Sequence, residues 1–461
     1  MTESPFNTHV TTIPDHWRIE RGKGIFQEID EKSTTGEEEL LTVSHKTGIT
    51  PRSQKNVTMF KAESTIGYKL VNKGDLVSNI MWMFEGAIGV SKYDGLVSPS
   101  YAVYRQRAQS YLPDYLDLLL RERSMIGEYT KRSKGIRKSR LRLYPNKFLD
   151  ILFPIPPITE QYSILNYIGD SASKINELIE LKKKEIQLYV DFKTKTIDDL
   201  IVGSNESITA PCSLEYVSKI PSDCNVVRSR YLTTQYTGDS IPDGEKDNYP
   251  EVPNSRPYVA TNNVDQMSST IHYTSGIYIK NDDDGFCVAP AGSTLLCIEG
   301  GSTGKKVAKI DQDVAFVNKL CCLTPDNIDS DYLFYVCSSN ITRQQIFRSI
   351  TGLIPGISSQ KLKNIKFIVP PVDKQQAIAK QLTGKVKIVN EVIEHLQEEI
   401  KLLQEYYSNL ITSAMMGKID TRGKYDTDSY HFNNVQMSSQ QDSDDIEEES
   451  ELISEGDEDD Y

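Results

Sequence analysis

The chain has 461 residues, of which 38% are hydrophobic and 25% charged, enough for two to four domains whose cores need neither disulfide nor metal support. Its net charge of −13 belongs to one end: 14 Asp/Glu and no Lys/Arg lie between Tyr425 and Tyr461, which leaves +1 on residues 1–424. All seven cysteines (Cys212, Cys224, Cys287, Cys297, Cys321, Cys322 and Cys337) fall in the second half without a CxxC pair, and no apolar run approaches ~18 residues, which argues against a disulfide scaffold, a zinc ribbon and a membrane span.

The opening MTESPFNTHVTTIPDHW lacks the basic-then-apolar pattern of an export signal, so a soluble cytoplasmic protein is expected. In the segment that follows, β-branched and aromatic runs such as YAVYR (101–105) alternate with turn residues, and YLDLLLRERSMIGEY (115–129) reads as a helix. Directly after it, KRSKGIRKSRLR (131–142) places Lys131, Arg132, Lys134, Arg137, Lys138, Arg140 and Arg142 in 12 residues with no acid. That density suits phosphate neutralisation with counterion release, and Ser133, Gly135 and Ser139 let the backbone approach closely.

From Pro156 to Gly203 the chain can be laid over Pro370 to Gly417 at a constant offset of 214 without a gap, giving 13 identities in 48 positions. Random pairing gives about three, so the segment is an internal repeat. Each copy opens with Pro-Pro, offers Thr159 or Asp373 as an N-cap, and closes at Gly203 or Gly417 as a C-cap, which predicts two long helices. In the second, Val389, Ile393, Leu396, Ile400, Leu403, Tyr407 and Leu410 form a heptad seam that wants a helical partner. The first keeps Ile175, Ile179, Ile186 and Tyr189 but carries Lys182 and Lys193 in the seam, so its pairing is expected to be less regular.

The segment between the helices echoes the first. IPSDC (220–224) answers IPDHW (13–17), Ala291–Leu295 answers Lys73–Val77, Gly301–Gly304 answers Gly86–Gly89, and IKFIVPP answers ILFPIPP. GIYIK, TLLCI and KFIVP read as strands and DSDYLFYVCSSNITRQQIF (329–347) as a helix. Here basic residues are mixed with amides: Arg256, Lys305, Lys306, Arg343, Gln344, Gln345 and Arg348. Arg can grip guanine and Asn or Gln adenine from the major groove. The last residues, QQDSDDIEEESELISEGDEDDY, hold too little apolar content to order, and a solubilising extension is expected.

Chemistry is not singled out. GGSTGKK (300–306) lacks the first Gly and final hydroxyl of a phosphate loop, and NDDDG (281–285) lacks the alternation of a calcium loop. The six histidines are scattered, and HExxH, GxSxG, GxGxxG and the tetrapeptide of amino-methyltransferases are missing. No metal site or catalytic residue is assigned.

The layout is globular part, long helix, globular part, long helix, tail. With PPITEQ and PPVDKQ opening the helices, Gly74-Asp-Leu-Val followed by Gly86-Ala-Ile-Gly, and PYVATNNV at 257–264, it resembles the specificity subunits of type I restriction-modification enzymes over residues ~10–418. LLTVSHKTGITPR (40–52) is similar to one class of their target-recognition domains. The sequence departs from the pattern at Cys224, where the first copy has Trp17, at Ser293, where it has Asp75, and in the acidic tail.

The resemblance implies an α+β fold: two mixed α/β target-recognition domains (1–156 and 206–370) separated by two long antiparallel coiled-coil helices (157–205 and 371–420), a pseudo-twofold repeat, and a disordered tail (421–461). Each domain would read one half of a bipartite asymmetric DNA site. Helices of ~40 residues span about 60 Å, more than the ~34–36 Å between same-face major grooves, and would set the unread gap. Lys131, Arg132, Lys134, Arg137, Lys138, Arg140, His45, Lys46 and Arg52 in the first domain, and Arg256, Thr261, Asn262, Asn263, Lys305, Lys306, Arg343 and Arg348 in the second, are the candidate contacts to double-stranded DNA. Two modification subunits would flip and methylate adenine with S-adenosylmethionine, and a restriction subunit would supply ATP- and Mg-dependent translocation and cleavage. This chain itself would hold no cofactor and do no chemistry. The alternatives are a DNA-recognition adaptor of another restriction type and a coiled-coil scaffold without a DNA role.

Overall fold

The computed structural model describes residues 2–3, 12–45, 47–54, 64–135, 141–204, 206–215, 217–274, 276–350 and 355–430. The chain forms two compact units, Met1–Glu180 with Ile400–Tyr461, and Leu181–Glu399. Each therefore holds one globular part and a stretch of both long helices.

The first globular part contains β1 (Arg18–Arg21), β2 (Phe26–Ile29), β3 (Leu41–Ser44), β4 (Gly48–Pro51), β5 (Leu76–Asn79), β6 (Ile88–Val90), β7 (Tyr101–Gln106), α1 (Pro113–Leu120), α2 (Arg123–Arg132) and β8 (Leu152–Ile155), then α3 (Ile158–Val202). Its antiparallel sheet runs β2-β7-β5-β6, while β8 pairs with β1. Fully buried Phe26, Tyr104, Phe148 and Phe153 fill the core. Tyr104 lies 4.6 Å from Phe148 and Phe26 5.3 Å from Phe153 between ring centroids, spacings at which aromatic pairs add to area burial.

The second globular part contains β9 (Asn225–Arg228), β10 (Thr233–Thr237), β11 (Ser255–Val259), β12 (Tyr278–Lys280), β13 (Val288–Ala289), β14 (Thr294–Cys297), β15 (Val307–Lys309), β16 (Val314–Phe316), β17 (Leu320–Pro325), α4 (Ser330–Ser338), α5 (Asn340–Ser349) and β18 (Lys366–Val369), then α6 (Val372–Met415). It repeats the first arrangement: an antiparallel sheet β10-β17-β14-β15, with β18 paired to β9. To this it adds a second sheet, β12-β11-β16-β13.

Three details refine the sequence reading. Each run expected as one helix is two, broken at the N-caps Glu122 and Ser339, whose side chains accept from Ser124 N and Thr342 N. The long helices begin before Thr159 and Asp373, because Pro157 O and Pro371 O already accept from Gln161 N and Gln375 N at 3.0 Å. Proline fits there, where an N–H would have no helical partner. The register of the second copy also slips: Gly86 (φ 89°) is answered by Gly304 (φ 72°), not Gly301, since each sits in left-handed geometry before the next strand, with Ile126 or Ile346 of the following helix where a Cβ would stand.

Junction residues are repeated in kind. Buried Gln161 donates to Pro156 O at 3.0 Å and Ser110 O at 2.9 Å and accepts from Leu112 N at 2.8 Å. Gln375 donates to Pro370 O at 2.9 Å and accepts from Asp329 N at 2.8 Å. Leu112 and Asp329 are the N-caps of α1 and α4, so one amide fixes each long helix to its own globular part.

In the first unit, Ile164, Ile168, Ile175 and Ile179 of α3 share a core with Tyr407, Leu410 and Ala414 of α6, and Ile400 and Leu403 pack against it. In the second, Ile186, Val389, Ile393 and Leu396 are buried, while Tyr189 is half-buried. There Lys182 pairs with Glu399 and Lys193 Nζ lies 3.1 Å from Asn390 Oδ1. Partner numbers fall as α3 numbers rise, so within this unit the helices are antiparallel. Both seam lysines are thus answered by a polar partner.

The tail begins later than expected. Buried Thr421 is followed by Tyr425, which rests edge-on against Tyr167, and by Tyr430, which packs on Tyr162 and donates to Asp114 Oδ2 at 2.8 Å. Asn166 Nδ2 donates to Asp426 O at 3.1 Å and Ser429 O at 2.9 Å. Aromatic rings spaced five apart give residues 421–430 apolar packing against α3. Residues 431–461 lie outside the described residues.

Candidate nucleic-acid interface

The basic segment starts inside α2. Lys131 Nζ and Arg132 Nε lie 3.8 Å and 3.1 Å from the buried carboxylate of Glu128, so part of their charge is answered within the chain. Beyond the helix, Lys134 and Arg142 exchange two backbone hydrogen bonds of 2.9 Å, and Leu143 N donates to Ile80 O at 2.9 Å. Lys134 and Arg142 are thus bridged to each other, and the residue after Arg142 is tied to the end of β5. Arg137, Lys138 and Arg140 lie outside the described residues, as does Lys46. His45 is half-buried at the β3–β4 turn, and half-buried Arg52 follows β4 with its N–H on Leu40 O at 2.8 Å.

In the second globular part the candidates gather around the loop before β15. Thr261–Asn263 form a tight turn in which Asn263 Oδ1 accepts from Ala260 N at 2.8 Å. Lys306 Nζ donates to Thr261 O at 2.6 Å, and Lys305 lies 6.0 Å from the Phe347 ring centroid. Asn262 belongs to the same turn. Arg256 is held by Asn281 through Nε to Oδ1 at 2.9 Å and its terminal nitrogen to the carbonyl at 2.6 Å. Exposed Arg348 pairs with Glu215.

Two expected readers are occupied by the scaffold. Gln345 donates to Lys366 O at 2.9 Å and accepts from Lys366 N at 3.0 Å, which spends its amide on β18. Half-buried Arg343 faces Asp198 of α3. Burial lowers its pKa against that attraction, and its Nε has no hydrogen-bond partner. Gln344 Nε2 reaches its own helix, at Asn340 Oδ1, 3.5 Å away. The candidates thus separate into outward cations (Lys134, Arg142, Arg348), a turn-and-loop cluster (Thr261, Asn262, Asn263, Lys305, Lys306) and framework residues (Arg343, Gln345).

Residues 225–402 match the family model described as the type I restriction modification DNA specificity domain. Two curated proteins of Methanocaldococcus jannaschii are similar along most of their length: the MjaX protein, named as a specificity subunit of a type I restriction enzyme, at 24% identity over 89% of this chain and 96% of its own, and the type I restriction enzyme MjaVIII specificity subunit, at 22% identity over 76% and 80%. A solved chain from work on assembly and conformational transition of the type I R-M system superposes with a TM-score of 0.53 at 16% identity, covering 88% of this chain and all of that one, which supports the fold. Along most of its length the chain is similar to type I restriction-modification specificity subunits. Subunits of this kind are non-catalytic, the chemistry lying in partner subunits. Among the described residues no helix is long and apolar enough to cross a membrane.

The long helices carry functional candidates that sequence reasoning missed. In the second unit, Leu188 and Phe192 of α3 are exposed to 68% and 57%, and in the first unit Leu402 and Tyr406 of α6 to 53% and 58%. These pairs are equivalent at the 214 offset and stand off the buried seams, an unusual position for large apolar side chains on a rod. Their signal in the sequence is a second apolar register running beside the heptad.

Proposed function

We propose that this specificity subunit reads a bipartite asymmetric DNA sequence, one half with each globular part, and that the length of α3 and α6 sets the unread gap. The supporting observation is the doubled unit: the same four-stranded order and the same Gln-anchored junction recur, while the loops leaving each scaffold differ. Two readers built on one frame but with unlike surfaces suit two unlike half-sites. In the first, the basic 131–142 segment neutralises phosphates. In the second, the 261–263 turn with Lys305, Lys306 and Arg348 lies at the DNA.

Leu188/Phe192 and Leu402/Tyr406 dock one methyltransferase subunit each, so that two bind per chain, and the restriction subunit joins that complex. S-adenosylmethionine, ATP and Mg are held by those partners, in the cytoplasm.

The test is methylome sequencing after residues 10–155 are exchanged for another recognition domain. One half of the methylated motif changes and the other persists. A change in both halves, or in neither, sinks the reading.

A further inference from the structure

Each globular part receives the end of one long helix, and the two sockets are built alike. In the first unit Gly417 closes α6 against Pro14, and in the second Gly203 closes α3 against Pro221; both glycines are left-handed, and at both a Cβ would stand 2.4 Å from the proline ring, too close for any side chain. Shape alone does not distinguish the two ends.

The polar groups do. In the first unit, Thr412 Oγ1 of α6 donates to Glu122 Oε1 at 2.7 Å, and Glu122, buried, also accepts from Ser124 N at 2.6 Å as the N-cap of α2. In the second, Asp198 Oδ1 of α3 accepts from Asn340 N at 2.8 Å, beside Ser339, the buried N-cap of α5. Thr412 and Asp198 are equivalent at the 214 offset, and Glu122 and Ser339 hold equivalent caps. Acid and hydroxyl have changed places between helix end and socket.

We propose that these exchanged pairs are keys: they assign the α3 end to the second globular part and the α6 end to the first, and they reject pairing between two copies of the same half. An α3 end in the first socket would set Asp198 against buried Glu122. An α6 end in the second would leave the α5 N-terminus without its acid. Like charges in a buried site, and an Asn340 N–H left without its acceptor, both cost more than packing returns. Burial already raises the Asp198 carboxyl to about 6, as expected of a desolvated key.

The inference is independent of what the globular parts read. Its test is hydrogen exchange at residues 405–416 of the full-length chain. Thr412→Asp, which gives α6 the α3 key, speeds exchange there by about thirtyfold or more, the equivalent of leaving a buried polar group unsatisfied. Adding Glu122→Ser, which gives the first socket the cap of the second, restores protection to within about threefold of the parent. If T412D does not accumulate, recovery of soluble E122S/T412D reads the same coupling. Unchanged exchange in T412D, or a double variant no better protected than T412D alone, overturns the keys.

Discussion

The two globular parts share a frame and differ at the surface. Sheet order, helix pair and Gln junction coincide, yet the sequence after the second short helix is basic at 133–142 in one and opens as apolar Ile350 before Pro355 and Gly356 in the other. The corresponding exits are tied alike, Leu143 N to Ile80 O and Ile357 N to Ile298 O, both at 2.9 Å. Positions that hold a helix on its sheet are preserved in kind, whereas positions facing outward are replaced. The same substitution reaches one buried site. Asp75, buried, is gripped by Arg105 through two bonds of 2.7 and 2.8 Å, while at the equivalent place Ser293 and Thr324 exchange one of 3.2 Å. A charged solution and a neutral one serve the same strand pair.

The largest expected contrast is in DNA binding. Replacing Lys134, Arg137, Lys138, Arg140 and Arg142 with Ser lowers affinity and flattens the slope of log K against log salt by about 0.9 for each phosphate that is no longer neutralised. Replacing Lys305, Lys306 and Arg348 changes the slope less, since Lys306 is held by Thr261. Equal slopes after both sets, read by fluorescence anisotropy across a salt series, would contradict the asymmetry.

Next comes the strand-pair contrast. Arg105→Ala leaves buried Asp75 without its counter-charge and costs about 3 kcal/mol, whereas Thr324→Val in the other copy costs ~1 kcal/mol. Thermal unfolding decides, and similar losses would show that the charged pair is worth no more than the neutral one.

A smaller difference is expected at the junctions. Gln161→Leu strips partners from Leu112 N, Ser110 O and Pro156 O, Gln375→Leu from Asp329 N and Pro370 O. Each costs about 1–3 kcal/mol, with the first larger because it frees one more group. The reverse order in urea unfolding counts against that accounting.

Much of the fold is legible in the sequence because it is written as repetition. The 214 offset, the Pro-Pro breaks and the heptad seam announce the rods, and short strands bounded by turns announce mixed sheets. What stays hidden depends on partners distant in sequence. Gln345 reads as a base-contacting amide until β18 is seen to occupy it, and Arg343 as an outward cation until Asp198 is found beside it. The register slip at Gly304 is invisible in the sequence because a glycine's role lies in its φ and in the helix beyond it. Residues 421–430 read as part of the acidic tail because net charge hides two tyrosines at ring-packing distance from α3.

The subtlest contrast lies in the seam itself, where Lys193 is the repeat equivalent of Tyr407. In the second unit Lys193 donates to Met267 O and Asn390 Oδ1, and Asn390 Nδ2 donates to Ser268 O at 3.1 Å, so the loop after the 261–263 turn is clamped to both helices. Desolvation pulls the Lys193 ammonium down to about 8, with Asp265 opposing the shift and Arg343 adding to it. Between about pH 8 and the ordinary lysine value near 10.4, the unfolded chain holds a proton that the folded chain has released. Stability therefore rises with pH across that window. Lys193→Met removes this rise while leaving a side chain of similar length in the seam. Denaturant unfolding at pH 7.5 and 9.5 reads the difference between parent and variant. If both gain or lose stability equally over that interval, the buried amine is not the source, and the clamp rests on Asn390 alone.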